Sequence, residues 1–223
     1  MSVLLALDTS TTAVTVAVHD GTRTLAERST LDARRHTEIL APSIRQVAID
    51  ADVTPADLDA VAVGVGPGPF TGLRVGIVTA ATLGHTLGIP VTGVCSLDAI
   101  AHEVLVAGGP ADFLVASDAR RKEVYWARYA IVEGRAVRQG EPAVAKPADL
   151  PQELRGLPTA GRGPVLYPDL FATPLDVLDV SAGALASFAT IEQRAGREPL
   201  PVRPLYLRQP DAMPAAARKP VLP

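Results

Sequence analysis

An unbroken apolar run from Val3 to Leu7 stops at Asp8-Thr9-Ser10, and the chain then becomes rich in Val and Thr from Thr12 to Val18. Apolar or β-branched runs bounded by turn-forming residues read as strands. Asp20-Gly21 is a hairpin signal, so Thr22 to Ser29 returns as a third strand of an antiparallel meander. From His36 to Ile49 the period changes. Ile39, Leu40, Ile44, Val47 and Ala48 recur at helical spacing. Pro42 lies inside this helix and is expected to kink or divide it. Thr54-Pro55 marks a short helical turn, a cap followed by proline at the first helical position. Ala60 to Val65 is apolar throughout, as in a strand buried on both faces. A helix then begins after Thr71 and ends at Gly88-Ile89-Pro90, a capping glycine followed by proline. Val91 to Val94 reads as a strand, and Ser96 can cap a helix running to about Val106.

Gly108-Gly109-Pro110 breaks the chain, and a looser version of the same order follows. Phe113 to Ala116 is apolar and stops at Ser117-Asp118-Ala119. Glu123 to Val132 reads as a strand with Tyr125, Trp126 and Tyr129. Gly134 turns the chain, Ala136 to Gly140 returns, and Leu157 to Gly161 is a further strand. Ser181 to Ala195 predicts a helix with Leu185, Phe188 and Ile191 on one face. Two βββαβαβα-like halves around a cleft describe an α/β, actin-like (sugar kinase/Hsp70-like) fold. Its two lobes are ribonuclease H-like, the second degenerate. Residues 1–107 form the expected first lobe, 108–200 the second, and 201–223 a proline-rich tail, extended or loosely ordered. In this architecture an acidic residue ending each first strand borders the nucleotide phosphates. Asp8 and Asp118 hold those places.

Composition narrows the function classes. With 223 residues and 48% hydrophobic content, a core forms without covalent staples. A single cysteine, Cys95, excludes an intrachain disulfide and a cysteine-based zinc site. The net charge is −3, where a nucleic-acid binder acting alone shows a basic face. Arg34-Arg35 and Arg120-Arg121-Lys122 read as solvated surface. MSVLLALDTS has neither the basic region nor the apolar length of a secretory leader. The helix after Thr71 is too short and interrupted to span a membrane. A cytoplasmic chain without membrane attachment is the expectation.

The stretch VGVGPGPFTGLRVGIVTAATLGHTLGIPV carries the candidate chemistry. Interior glycines weaken a helix by about 1 kcal/mol each relative to Ala, so their presence needs a reason. A phosphate loop requires Gly-Lys-Ser/Thr, and here Thr71-Gly72-Leu73 supplies no lysine. A dinucleotide turn is poorly served by Pro67 and Pro69, which have no amide hydrogens. Gly72, Gly76, Ala80, Gly84 and Gly88 recur every fourth residue, however, and form one ridge without side-chain bulk. Leu73, Ile77, Leu83 and Leu87 flank it. Either a partner backbone approaches along the ridge, or the ridge packs on its own sheet. The first alternative predicts that Gly76→Leu or Gly84→Leu abolishes pairing and leaves the lone chain folded.

That same stretch, extended through Val91 to Ala101, resembles the signature of the TsaB (YeaZ) family, part of the bacterial tRNA threonylcarbamoyladenosine machinery. LALDTST, the His36-Thr37-Glu38 segment, DARRKEVYWARY and PLYLRQPDA are similar to further family motifs, over roughly residues 3–213. The resemblance implies a two-lobed actin-like fold and pairing with TsaD, the related catalytic subunit. It implies work with a TsaE-like ATPase on tRNA, and self-association through the same surface. It places that surface on the first two long helices, with His36, Ile39, Leu40, Gly72, Leu73, Gly76, Ile77, Ala80, Leu83 and Gly84 at the interface. It implies ATP and a metal on the partner subunits, with no cofactor and no catalytic residue assigned to this chain.

The residues themselves argue against independent catalysis. His36 is followed four positions later by Leu40, so the paired metal-ligand motif of the catalytic relative is absent. His19, His85 and His102 have no ligand spacing. Cys95 follows an apolar run and reads as structural. Asp8-Thr9-Ser10-Thr11 lacks the glycine that lets backbone approach a phosphate closely, and Asp118-Ala119-Arg120-Arg121 replaces a glycine-rich second loop. Asp8, Thr9, Ser10 and Asp118 thus outline a degenerate nucleotide cleft, with the two aspartates capping turns. The rival from another class is an actin-like ATPase or kinase that uses Asp8 and Asp118. A glycine-loop dinucleotide oxidoreductase is a third, weaker reading.

Overall fold

The computed structural model describes residues 2–32 and 35–208. Arg34 and the tail from 209 onward, including the end of the PLYLRQPDA motif, lie outside the described residues. The first half folds as β1 (Leu4–Asp8), β2 (Ala13–His19), β3 (Thr24–Leu31), α1 (His36–Asp50), β4 (Ala60–Gly64), α2 (Phe70–Leu87), β5 (Val91–Val94) and α3 (Ser96–Val106). The second half follows with β6 (Asp112–Asp118), β7 (Val124–Val132), β8 (Arg135–Arg138) and β9 (Ala143–Ala145). After it come α4 (Gln152–Arg155), β10 (Pro158–Ala160), α5 (Gly163–Leu166), β11 (Thr173–Pro174) and α6 (Ala182–Arg194).

The first sheet has the order β3-β2-β1-β4-β5. β1 to β3 are antiparallel, and β4 and β5 run parallel to β1. The second sheet, β11-β10-β6-β7-β8, repeats the plan, with β6 to β8 antiparallel and β10 and β11 parallel to β6. β9 pairs with β7 beside β8. This is the two-sheet, actin-like arrangement the residue pattern predicts. The second copy keeps its three leading strands and shrinks the rest to very short elements.

The core explains why β1 and β2 are apolar without alternation. α1 and α2 cover one face of the first sheet through Leu5, Leu7, Val14, Val16, Leu40, Val47, Leu73 and Ile77. α3 and α6 lie between the two sheets, where Ala6, Ile100, Phe113, Tyr129 and Leu185 pack together. The two sheets therefore share these helices: α6 packs on β1 and β2, and α3 on β6, β7 and β8. α3, before residue 107, and α6, after it, each pack on the sheet of the other half.

Three local expectations are corrected. Pro42 does not divide α1, which continues from His36 to Asp50. The missing amide leaves a carbonyl unbonded within the first two turns, while buried Leu40 and Val47 hold both sides of it on the sheet. Ser96 does not cap α3, because its hydroxyl is engaged with Asp8. Ile191 is exposed, so the buried face of α6 runs through Leu185, Ala186 and Ala189. Gly88 does end α2 in the left-handed conformation, with φ 68°.

After α6 the chain does not leave the fold. Gly93 N–H donates to the Leu200 carbonyl and Leu205 N–H to that of Val65. Tyr206 stacks on Phe70 at 5.4 Å, and Arg74 lies over the same Phe70 ring. Residues 200–208 therefore strap the edge of the first sheet to the start of α2.

Candidate functional site

Asp8 ends β1 at the point where the chain turns into β2, and it is fully buried. One carboxyl oxygen accepts from Ser10 N–H and Ser10 Oγ at 2.7 Å each; the other accepts from Ser96 Oγ at 2.6 Å. The carboxyl also fills the space beside Gly64, where a Cβ would collide with it. Burial pushes the Asp8 pKa up, opposed by the Ser96 and Ser10 hydrogen bonds. This is a turn-capping group sealed in protein. A carboxylate free to hold a nucleotide-bound cation sits differently.

Thr9 explains the glycine spacing. Its Oγ1 donates to the Gly72 carbonyl at 2.7 Å and accepts from Gly76 N–H at 3.0 Å. The hydroxyl is thus inserted between two groups that an α-helix ordinarily bonds to each other. Close approach requires bare backbone. A Cβ at Gly72 would lie 2.5 Å from the Thr9 carbonyl oxygen, and one at Gly76 2.5 Å from Thr9 Oγ1. One at Gly84 would overlap Val91. The β1–β2 turn, which would border phosphates in a nucleotide-binding relative, is packed under α2.

The ridge therefore faces its own sheet. Gly72, Leu73, Gly76, Ile77, Ala80 and Gly84 are all buried within the lobe. In the lone chain these residues are covered by the chain's own β1–β2 turn and sheet. His36, Ile39 and Leu83 are half-buried, and Leu40 is buried. The solvent face of α2 is a different stripe, Phe70, Arg74, Val78 and Thr82, with Phe70 45% and Val78 60% exposed. Together with Thr37 and Ala41 of α1, the first three walls of that stripe enclose an open groove of about 540 Å³. This stripe also repeats every fourth residue. In the sequence its signal is masked by the glycines on the opposite face.

The second copy of the turn is closed as well. Asp118 accepts from Arg120 N–H at 2.7 Å and pairs with the Arg120 guanidinium at 2.9 Å. Arg120, Arg121 and Lys122 all have positive φ, 59°, 54° and 62°. Left-handed backbone costs non-glycine residues roughly 1–2 kcal/mol each. Between the turns, Thr11, Asp118, Arg120 and a tight Arg162–Asp179 pair leave a cavity of about 10 Å³, room for one water. On the other side of Arg120 a more open space of about 280 Å³ lies between Thr9, His36 and the start of α2 at Pro69–Gly72.

The remaining candidates are packing groups. Burial pushes the Cys95 thiol up to about 12, so it stays protonated. His19 accepts from Gly21 N–H, and His102 meets Ser187 and the edge of Phe188. Among the described residues no three His, Cys, Asp or Glu side chains converge as metal ligands. Among them, too, no helix is long and apolar enough to cross a membrane.

Asp8→Asn is the cheap test of the turn. An Asp whose folded pKa exceeds the unfolded value, about 3.9, binds its proton more tightly in the fold. Its contribution to stability is full below the unfolded value and is lost as pH rises through the folded one. The neutral amide escapes that loss. Urea unfolding from acid to neutral pH is expected to show Asp8→Asn at least as stable as wild type at neutral pH, with a flatter profile. A stability difference between Asp8→Asn and wild type that does not shift in the variant's favour as pH rises contradicts the raised Asp8 pKa.

Known proteins share this plan. A family model described as TsaD, tRNA N6-adenosine threonylcarbamoyltransferase, matches residues 28–168. An uncharacterized protein of Mycobacterium leprae is 47% identical over 97% of this chain, which spans 58% of that protein's length. The Escherichia coli tRNA threonylcarbamoyladenosine biosynthesis protein TsaB is 36% identical over 174 residues, 75% of this chain and 74% of its own. The solved YeaZ of Pseudomonas aeruginosa superposes with a TM-score of 0.81 at 33% identity, covering 93% of this chain and all of that one. With the repeated sheet plan and the glycine-faced α2 in hand, these likenesses show that the chain belongs to the TsaB (YeaZ) family.

Proposed function

We propose that this chain is a noncatalytic subunit of the tRNA N6-threonylcarbamoyladenosine machinery. It docks on a TsaD-like catalytic subunit and supports engagement of a TsaE-like ATPase and of tRNA. The observation that carries the reading is the closed turn: Asp8 is sealed by Ser10 and Ser96, and Thr9 is bonded into α2. With its Asp8 carboxyl taken up by Ser10 and Ser96, the chain acts in this reading through a partner's site. The names of the TsaB relatives and the match to the TsaD family model favour that partner.

The docking surface in this reading is the solvent side of α1 and α2, around Thr37, Ala41, Phe70 and Val78. Exposed apolar residues gathered on one groove mark an interaction site more often than scattered ones do. Self-association uses the same face, so a second copy and the catalytic subunit compete for it.

Mixing with the TsaD-like subunit of the same organism tests the surface. Val78→Asp places a charge at the centre of the contact, and association is expected to weaken at least about 30-fold. The melting curve is expected to stay unchanged, because Val78 is 60% exposed. Undiminished co-elution removes this interface. Calorimetry of the lone chain with magnesium and ATP tests the other half. Tight binding with turnover that Asp8→Asn abolishes would return the chain to the enzymes.

A further inference from the structure

We propose that a second cavity, lying along the edge strand β5 between α3, the end of β8, α6 and the segment that follows α6, binds an α-amino acid with an apolar side chain. The cavity holds about 460 Å³. It shares no lining residue with the Asp8 turn or with the α1–α2 groove. Ligand sites of this size usually combine apolar walls with a few polar groups.

The polar groups select the ligand. Arg138, at the end of β8, uses only Nη1, at 2.9 and 3.1 Å from the two oxygens of Asp98. Asp98 is held in turn by the Tyr129 hydroxyl at 2.7 Å. Among the described residues nothing bonds the Nε–Nη2 edge of Arg138, although the side chain is only 25% exposed. That edge is the planar fork that grips a carboxylate with two parallel hydrogen bonds. Glu192 is occupied by Arg135 and Arg197. Glu198 is exposed, lines the same cavity and has no partner among the described residues. One open cationic fork and one open carboxylate match a zwitterion. A lone phosphate would meet Glu198 and Glu192; a lone cation would meet two guanidiniums.

The apolar wall sets the side chain. Val94, Phe188 and Leu200 offer carbon surface, and the small Ala189 leaves room beside them. Cys95 also lines the space and remains a thiol, so it adds no charge.

Isothermal titration of the full chain with free L-leucine as the probe tests the site. Saturable binding is expected. L-leucinamide, which lacks the carboxylate, and 4-methylpentanoate, which lacks the ammonium, are each expected to bind about tenfold or more weakly. Arg138→Lys keeps a charge opposite Asp98 and removes the fork, and is expected to weaken L-leucine about tenfold. Ala189→Leu fills that room and is expected to abolish binding. No saturable heat up to about 10 mM overturns the site. Wild-type affinity in a folded Ala189→Leu or Arg138→Lys also overturns it. Equal binding of either truncated probe overturns the ligand class.

Discussion

Gly76→Leu and Gly84→Leu are expected to destabilise the lone chain strongly, Gly76→Leu the more, and not merely to prevent pairing. At Gly76 the new Cβ stands 2.5 Å from Thr9 Oγ1 and 3.4 Å from Leu7 Cδ1. At Gly84 it overlaps Val91 and lies 3.0 Å from the Ile89 carbonyl oxygen. Overpacking a filled site typically costs 1–3 kcal/mol, occasionally more. At Gly76 the substitution also expels Thr9 from between the Gly72 and Gly76 backbone groups. Buried groups left unbonded add about 1–3 kcal/mol. The sum, about 4 kcal/mol, is a large share of an ordinary domain's 5–15 kcal/mol. Circular dichroism melts of the lone chain check this. A soluble variant with a cooperative melt near that of wild type would show that the glycine face is open after all.

Asp98→Ala is expected to destabilise by about 3 kcal/mol or more, the cost of breaking one side of a buried ion pair. It strips the partner from the Tyr129 hydroxyl and from Arg138 at once. Arg138 cannot relieve its burial by losing a proton. Arg138→Met is expected to be milder in acid, because the residue left behind can neutralise itself. Burial already pushes the Asp98 pKa up against the pull of Arg138. The contribution of a carboxyl with a raised folded pKa is full below the unfolded value and is lost as pH rises through the folded one. Urea unfolding of both variants at acid and neutral pH reads the difference. A pH-independent gap between wild type and Arg138→Met contradicts it.

Much of the fold was legible because its signals are local. Apolar runs ending in Asp-Thr-Ser or Ser-Asp-Ala mark the first strand of each sheet, and Asp20-Gly21 places a hairpin. Gly88 ends α2 where a capping glycine is expected. β9, β11, α4 and α5 were missed: at two to four residues they carry no period, and pairing with neighbours alone defines them. Ser96 illustrates a second kind of miss. A serine ahead of an apolar helix has the look of a cap, but the burial of Asp8, far away in sequence, claims its hydroxyl first.

The candidate site divides in the same way. The missing glycine in Asp8-Thr9-Ser10 was readable, being a local fact. The direction of the glycine ridge was not. A four-residue repeat defines a face of a helix and says nothing of what lies against it.

By itself, then, the sequence determined the strand and helix order, the duplicated plan and the existence of a bare stripe along α2, because periodicity and turn chemistry act between near neighbours. Only the tertiary structure decided that the stripe receives Thr9 from the chain's own β1–β2 turn, that Val78 and Phe70 face solvent in its place, and that Arg138 and Glu198 border one cavity. Those outcomes depend on which distant segments reach a surface first in the packed fold, and the spacing of residues along the chain does not encode it.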